Sequence, residues 1–503
     1  MGCALLAYSI VISQPSTSVA AVLSLIIIPI IARRMEIGVL LVMIMTASFM
    51  HTNVIPQPLK FGGQGLNAVE LLVFFMFAVV LLRSLSERTG EIIRSPFLPP
   101  LILFGVSIAL SLLVAYLRGL EDTTALYSFK FSYATARPLF GYLLFFGVAF
   151  ALRTERQIRF VVNSALVIAA IIAVMTVLQY FMGTGTKLFL GADATSVRVQ
   201  ELSPDVTGVT RSLPPGMALM LIMLPVLVVL SVLSTGRARI AYGGSVIVLC
   251  AGLVFMFTRN YWLSSMLSIV IVWLMMNWMT RWKMILIGSV ILVLGLVAML
   301  GATRLAGEGG EVFTRALTDR FDSSFEKDTY SSSTVTDRLE ENRHAIDQIK
   351  RHPIFGIGVG NPLSYKQATR PWGRTIVRYP CFWMHNTYLE LWAVYGILGI
   401  VSFFWLSATC LRRSLAVFRR SQNLFQSALG IGLFAAYIGF MVRAIVTMSV
   451  LHEAFNITSV SLAWGLIEAV HRVQSVPSGE PTEAVSVCTR TAASTERGVC
   501  LSA

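Results

Sequence analysis

His385 is the residue of this chain whose type and position best suit acid–base chemistry. It stands directly before an apolar segment that predicts a helix, with Asn386 beside it and Glu390 about one helical turn further on. Imidazole is the side chain whose ordinary pKa lies nearest neutrality, so it can take a proton from a hydroxyl group. A histidine at a helix start is also often a cap or an interfacial residue, and both interpretations stay open. Glu390 either orients the helix or shares the proton.

A run of positive charge precedes His385. No acidic residue occurs between Asp347 and Glu390, whereas six cations do: Lys350, Arg351, Lys366, Arg370, Arg374 and Arg378. Uncompensated cations beside a membrane attract anionic headgroups or a polyanion, and arginine suits two-point contact with phosphate. The run therefore predicts either a loop that touches lipid phosphates or a cationic mouth for a pyrophosphate-bearing substrate.

Two further arginines, Arg211 and Arg259, each stand at the mouth of a predicted helix. Arg259 lies in a very short turn between the apolar segments 240–257 and 261–279. An arginine there either extends to the lipid–water interface or has an anionic partner.

A helix and a glycine-rich turn are predicted just before the positive run. Residues 337–351 indicate an amphipathic helix that ends before Pro353, with Leu339, Ile346 and Ile349 on its apolar face. The turn 353–361 contains three glycines. Such a turn either cradles a phosphate with its N–H groups or is a plain tight turn.

The elements that must position these residues lie in lipid. Of the 503 residues, 55% are hydrophobic and 13% are charged, about half the charged fraction of a soluble protein. Apolar segments of spanning length recur along the chain, and the short piece 3–13 is either a further span or a re-entrant segment. The predicted spans are 17–32, 35–51, 67–82, 97–117, 137–152, 160–181, 213–233, 240–257, 261–279, 284–301, 386–409, 425–446 and 453–470.

The fold class predicted from this pattern is an all-α polytopic bundle of about 12–14 transmembrane helices. Short loops rich in Lys and Arg, such as 153–159 and 412–420, belong in the cytoplasm. The positive-inside bias also accounts for the net charge of +14, so nucleic-acid binding is not predicted. The chain divides into an N-terminal bundle 1–301, a large periplasmic loop 302–385, closing helices 386–471 and a disordered cytoplasmic tail 472–503.

Several of these motifs together are similar to one family. The run His385-Asn386-Thr387-Tyr388-Leu389-Glu390, followed by Gly396 and Gly399, resembles the signature of the O-antigen ligase and polymerase superfamily. The helix from Arg338 to Ile349, followed by Pro353-Ile354-Phe355-Gly356-Ile357-Gly358-Val359-Gly360-Asn361, looks like that family's periplasmic helix and turn. The similarity covers about residues 205 to 410.

The resemblance implies transfer of a glycan from undecaprenyl pyrophosphate to an acceptor at the outer face of the bacterial inner membrane, without a metal or cofactor. It implies that Arg211 and Arg259 grip the donor pyrophosphate and that His385 activates the acceptor hydroxyl. The family often has Gly-Asn-Pro-Asn near its first arginine, whereas Arg211 here leads into Ser212-Leu213-Pro214-Pro215-Gly216.

The resemblance also implies that Arg338 and Arg343 support the reaction from the loop helix. The catalytic candidates are thus His385, Arg259 and Arg211. The candidates for substrate binding are Arg338, Arg343, Lys350, Arg370, Arg374, Arg378, Asn386 and Glu390.

Three functions fit the sequence. The first is a polymerase, in which the acceptor is another lipid-linked glycan of an exopolysaccharide or O-antigen, with inversion at the anomeric carbon. The second is a ligase, whose acceptor is lipid A–core or a protein. The third is a transporter of lipid-linked sugars; it is disfavoured because transporters place polar groups near the midplane, whereas only Arg443 lies well inside a predicted span. The large basic loop favours the polymerase, because it has room for two pyrophosphate-bearing lipids.

Overall fold

The structure is a computed structural model of the chain, and it describes most of the membrane bundle and half of the large loop. The described residues are 28–47, 60–61, 64–65, 68–88, 90–121, 136–183, 188–189, 198–203, 206–214, 216–290, 313–318, 333–369, 376–382, 384–447 and 454–475. The predicted piece 3–13, residues 17–27 of the predicted span 17–32, residues 291–301 of the predicted span 284–301 and the tail beyond residue 475 lie outside them.

Helices dominate the described residues, as the apolar segments predicted. In chain order they are α1 (Met35–Thr46), α2 (Ala68–Glu87), α3 (Glu91–Arg94), α4 (Leu98–Glu121), α5 (Leu144–Ala151), α6 (Glu155–Met182), α7 (Met217–Leu233), α8 (Gly236–Phe255), α9 (Arg259–Met275), α10 (Ser333–Arg351), α11 (Thr387–Arg419), α12 (Leu424–Arg443) and α13 (Ala454–Ser475). A 3-10 turn at Arg137–Leu143 leads into α5, and residues 28–33, 278–290 and 313–318 are also helical.

Six of the described helices are long and apolar enough to cross a membrane. They are Val69–Glu87, Leu98–Arg118, Glu155–Met182, Gly236–Phe255, Thr387–Arg419 and Leu424–Arg443. Shorter apolar helices at Met35–Thr46, Leu139–Ala151 and Met217–Leu233 pack among them. The prediction of an all-α polytopic membrane protein is therefore confirmed.

The core lies around α7, which is buried almost all round and packs against α6, α8 and α12. Glycines let the helices approach closely. A Cβ on Gly432 of α12 would lie 2.6 Å from Val226, and one on Gly465 of α13 would lie 2.5 Å from Val148. Helix α9 packs on α12, and α11 packs on α12 and α4.

Three two-stranded antiparallel ribbons accompany the helices, and the sequence did not predict them. They are formed by β1 (Lys60–Phe61) with β2 (Gln64–Gly65), β3 (Arg198–Ser203) with β4 (Val206–Leu213), and β5 (Ser364–Thr369) with β6 (Ile376–Cys381). The third ribbon corrects the expected helical loop, because it contains part of the basic segment.

The last membrane helix corrects one predicted boundary. The tail was expected to be disordered from Arg472, but α13 continues to Ser475. The guanidinium of Arg472 donates a 2.7 Å hydrogen bond to the carbonyl of Ala149 and pairs with the carboxylate of Glu91. These contacts extend the helix by one turn.

Helix α11 is broken near its outer end. Gly396 has φ 70° and ψ −168°, so the first nine residues form a separate half-helix. The carbonyls of Ala393 and Val394, freed by the break, accept from the N–H groups of Ile357 (2.8 Å) and Gly358 (3.2 Å). The N–H of Ile397 in turn donates to the turn 353–361. Non-helical backbone at membrane depth is stable only where such partners satisfy it.

The turn 353–361 thus has a structural role, because it bonds the backbone groups that the break in α11 leaves free. A Cβ on Gly356 would lie 2.4 Å from the oxygen of Val394, and the N–H of Val359 donates to the hydroxyl of Ser111 at 2.8 Å. Because these N–H groups are already bonded to the protein, the turn does not cradle a phosphate. The tight-turn interpretation is the correct one.

Candidate functional site

Helix α10 forms one wall of the site and packs one stripe of its residues against α11. Glu341, Ala345 and Ile349 are 5%, 0% and 8% exposed and lie at helical spacing against α11. Leu339 and Ile346, which the sequence placed with Ile349 on the apolar face, are 51% and 41% exposed. The helix itself is confirmed, and its inner stripe contains a carboxylate.

Glu341 holds His385. Its Oε2 accepts from the backbone N–H of His385 at 3.1 Å and lies 2.9 Å from the ring nitrogen Nδ1. The side chain of Glu341 is 5% exposed, whereas that of His385 is 36% exposed. The carboxylate is therefore inside the protein, and the imidazole stands between it and the open surface.

The residues that follow His385 fix the outer end of α11. The carboxamide oxygen of Asn386 accepts from the N–H groups of Tyr388 and Leu389, both at 3.2 Å, which is an N-cap. The N–H of Thr387 donates to the carbonyl of Ala444 at 2.9 Å. The hydroxyl of Tyr388 donates to the carbonyl of Met441 at 2.7 Å. His385 thus stands on a helix end that is bonded to the end of α12.

Arg259 is the first residue of α9, after the three-residue turn from α8. In this turn Phe257 has φ 47°, a left-handed conformation that costs a residue with a Cβ roughly 1–2 kcal/mol. Aromatic packing holds it there: the Phe257 ring is 1% exposed and lies 5.9 Å from the ring of Tyr180 and 5.7 Å from that of Phe313. The aromatic cluster positions the helix start that carries Arg259.

Two cations meet at this end of α9. Arg259 is half-buried and experiences electrostatic repulsion from Arg338 of α10. It also lies at the helix N-terminus, where the macrodipole is positive and disfavours a cation. Two guanidinium groups and a helix N-terminus therefore act at the same end of the bundle, and such groups can attract an anion.

Arg443 joins the two helices that begin at the site. It is 1% exposed, at the outer end of α12, and its guanidinium lies 4.4 Å from the centroid of the Tyr261 ring of α9. Its Nη2 donates to Oδ1 of Asn456 at 3.4 Å. Because the next residue, Ala444, accepts from Thr387 of α11, the end of α12 contacts both helix starts.

The other predicted site residues that the structure describes lie on different elements from His385 and Arg259, or deeper in the bundle. Arg343 and Lys350 are exposed on α10. Glu390 is 1% exposed and lies inside the bundle in the first turn of α11, where its backbone N–H donates to the carbonyl of Asn386. Arg211 lies on β4 opposite Gln200, and Arg378 lies on β6 opposite Gln367.

Arg370 and Arg374 lie outside the described residues, and the roles assigned to all these cations stay predictions. Glu341 is the residue that sequence reasoning missed. Its signal was its spacing of four and eight residues from Ala345 and Ile349, which places it on the same helical stripe.

Helix α10 contributes a residue to each of the two parts of the site. Arg338 and Glu341 are three residues apart on α10, which places them on neighbouring positions of the same side. The first contributes to the cationic site at the start of α9, and the second holds the imidazole at the start of α11. A phosphate bound near Arg259 and a nucleophile near His385 would therefore both lie next to α10.

Fold and site together define a multi-pass α-helical membrane protein with two arginines and a histidine at one end of its bundle. Residues 244–404 match the sequence model of a family described as O-antigen ligase. Over these residues the chain is similar to that family, in agreement with the resemblance. The matched region includes Arg259, Arg338 and His385 but not Arg211.

A curated relative agrees with this assignment. The chain is 25% identical over 194 residues to an O-antigen ligase of Salmonella typhimurium strain LT2. The alignment covers 37% of this chain and 43% of the relative, so the chain spans less than half the length of that protein.

Proposed function

We propose that the protein is a glycosyltransferase of the bacterial inner membrane that polymerises lipid-linked glycans. The donor is a glycan on undecaprenyl pyrophosphate, and the acceptor is a second lipid-linked glycan of an exopolysaccharide or O-antigen. The observation that carries the proposal is the convergence of α9, α10 and α11, which brings Arg259 to Arg338 and His385 to Glu341. The site faces the periplasm, because the basic loops lie at the other end of the bundle.

The donor pyrophosphate binds at the start of α9. Arg259 and Arg338 contact its oxygens, and the positive end of the helix adds to the attraction. As the bond between the anomeric carbon and the pyrophosphate oxygen breaks, negative charge grows on the leaving group. Fixed cations stabilise that charge more than they stabilise the ground state, so they accelerate the departure.

The acceptor hydroxyl attacks from the side of His385. Its oxygen forms the new bond to the anomeric carbon while the imidazole takes its proton, which is general base catalysis. Nucleophile and leaving group lie on opposite faces of the carbon, so a single displacement inverts its configuration. Arg211, Arg343, Lys350, Arg370, Arg374, Arg378, Asn386 and Glu390 remain candidates for substrate contacts.

The test is a reaction of purified protein with undecaprenyl-pyrophosphate-linked repeat units, supplied first alone and then with lipid A–core. Ladders of product from the donor alone, lost in His385→Ala, would support the polymerase. The loss expected for removing a general base is about 100- to 10,000-fold in kcat. Retained anomeric configuration in the product would contradict the single displacement.

A matched control is His344→Ala, since His344 is exposed on α10 and three residues beyond Glu341. It should leave the rate unchanged. Transfer seen only when lipid A–core is present would instead make the protein a ligase. Movement of an unaltered lipid-linked sugar across vesicles, without product from either acceptor, would make it a transporter.

A further inference from the structure

We infer that Glu341 is a positioning residue for the reaction: it fixes the imidazole of His385 so that Nε2 is the atom that takes the acceptor's proton. The inference rests on the proposed function and assigns a role within that same site. Glu341 was not expected from the sequence, and it does not itself face the open surface.

One oxygen atom of Glu341 makes both contacts. Oε2 accepts from the backbone N–H of His385 at 3.1 Å and lies 2.9 Å from Nδ1. An ionised carboxylate can only accept hydrogen bonds, whereas a neutral imidazole has one donor and one acceptor nitrogen. Nδ1 must therefore carry the proton in the neutral ring, which leaves the lone pair on Nε2.

The backbone contact makes the arrangement rigid. Because the same oxygen binds the main chain and the ring of one residue, the imidazole cannot rotate away from Glu341 without losing one of two bonds. Met384, the preceding residue, is 1% exposed, and the following residue, Asn386, caps α11. The main chain on both sides of His385 is thus held, and Glu341 fixes the remaining freedom of the side chain.

The proton follows a defined path. The acceptor O–H bond breaks and its proton forms an N–H bond at Nε2, while the oxygen's electron pair forms the bond to the anomeric carbon. The pyrophosphate leaves with the electrons of the old bond. The ring is now an imidazolium, and the hydrogen bond from Nδ1–H to the buried carboxylate becomes a charge-assisted one, which is the stronger kind. Glu341 keeps its own charge throughout, as the acid of a hydrolase triad does.

The variant that tests this is Glu341→Gln, which keeps the shape and removes the charge. A glutamine can also turn its NH2 group toward Nδ1, which permits the unproductive tautomer. Loss of a group that orients a metal ligand costs about 10- to 100-fold, and we expect a similar factor for a group that orients a general base. We therefore expect kcat to fall by that factor, with KM for the donor nearly unchanged. Glu341→Asp, which restores the charge one methylene further away, should recover part of kcat.

Glu340→Gln is the matched control, because Glu340 is the neighbouring residue and is exposed. It changes the same charge on the same helix without touching His385, and it should keep wild-type kcat. In a His385→Ala background, Glu341→Gln should have almost no further effect on kcat. If Glu341→Gln lowers kcat by the same factor in the His385→Ala background as in wild type, Glu341 acts independently of His385. That result would overturn the inference.

A readout without substrate separates this inference from the proposed function. Solid-state NMR of protein with 15N-labelled histidine, at about pH 8 in lipid bilayers, distinguishes the two neutral tautomers, and His385→Ala identifies the signal. We expect the Nδ1–H form in wild type and in Glu340→Gln, and a loss of that preference in Glu341→Gln. An Nε2–H form in wild type would overturn the inference even if the polymerase is active. The Nδ1–H form with no loss of kcat in His385→Ala would instead contradict the proposed mechanism.

Discussion

The two helices that carry the site begin in different ways. At the start of α11, Asn386 caps the first turn and the carbonyls at the end of α12 accept from Thr387 and Tyr388. At the start of α9, a left-handed Phe257 precedes a cation that lies at the positive helix end and beside a second cation.

This difference fits the roles proposed for His385 and Arg259. A general base must keep one orientation, and hydrogen bonds to the protein supply it. Arg259 is positioned by the aromatic packing of the turn that precedes it, and it lies at the positive end of its helix with Arg338 as a like charge. The left-handed Phe257 and the like charges are each unfavourable features of this helix start.

The largest effect is expected from closing the break in α11. Gly396→Ala places a methyl group at φ 70°, with its Cβ 2.0 Å from the oxygen of Ile354. Backbone strain and overlap with main-chain atoms together exceed about 4 kcal/mol, so little folded protein should be recovered from membranes. Gly243→Ala in α8, where no atom lies within 4 Å of the new Cβ, is the control. Normal yield and melting temperature for Gly396→Ala would show that the half-helix is not needed.

The next largest effect is expected at the start of α9, where Phe257 packs with Tyr180 and Phe313. Phe257→Ala removes a ring that is 1% exposed and leaves the unfavourable φ in place. Truncation of a buried Phe costs about 3–5 kcal/mol, which would appear as a lower melting temperature and weaker donor binding. Phe181→Ala is the control, because the Phe181 ring contacts the Tyr180 ring edge-to-face but is 71% exposed. Equal effects from both variants would contradict a special role for the turn.

Arg259→Gln should separate activity from stability. Removal of one charge-stabilising group lowers kcat by about 100- to 1000-fold. The same change relieves repulsion from Arg338 and from the helix dipole, so the free protein should gain about 0.3–1 kcal/mol of stability. Measured kcat and melting temperature would therefore move in opposite senses.

Arg237→Gln is the matched control for that prediction, since Arg237 is an exposed cation in the first turn of α8. It should show the small gain in stability without the loss of rate. A lower melting temperature in Arg259→Gln than in wild type would mean that Arg259 is stabilised by its surroundings, and the proposed difference between the helix starts would fail.

The cap of α11 allows a finer test. Asn386→Ala removes the oxygen that accepts from Tyr388 and Leu389 and should cost about 1 kcal/mol of stability, whereas Asn386→Ser retains a capping oxygen. If the role of Asn386 is only to cap, the serine variant keeps nearly full activity. If Asn386 contacts substrate, as the sequence suggested, both variants lose activity alike. Thermal unfolding and kcat measured on the same preparations decide between the two.

The sequence predicted the helices of the bundle well because each apolar segment is long and uniform, and lipid selects for that property alone. It also singled out His385 and Arg259, whose polar side chains stand at the ends of apolar segments. It did not predict the break at Gly396, because the φ of a glycine depends on the turn 353–361 that contacts it from elsewhere in the chain. The ribbon of β3 and β4 was missed too, although Val206, Val209 and Thr210 carried a weak β-branched signal.

Glu341 was missed for a similar reason. Its neighbours Asp337 and Glu340 made the acidic residues look like the cap of a helix start, and the apolar Leu339 and Ile346 drew attention to another side of the helix. A partner 44 residues away in sequence decides which side of α10 is buried. Which side of α10 is buried depends on tertiary contacts, and helical periodicity alone does not reveal these contacts.

The smallest effect is expected at His352, directly before the turn 353–361 that supports α11. His352 lies 3.1 Å from a guanidinium nitrogen of Arg118, and burial, together with Arg118 and Arg351, lowers the pKa of His352 from 6.5. Because the folded protein holds this proton less tightly than the unfolded chain, its contribution to stability is complete above about pH 6.5 and is lost as the pH falls below that value. His352→Gln cannot take the proton, so its melting temperature should fall less than that of wild type between about pH 7.5 and about pH 5.5. The equivalent change at the exposed His344 should leave the wild-type pH dependence in place, and parallel curves for wild type and His352→Gln would show that this contact does not respond to pH.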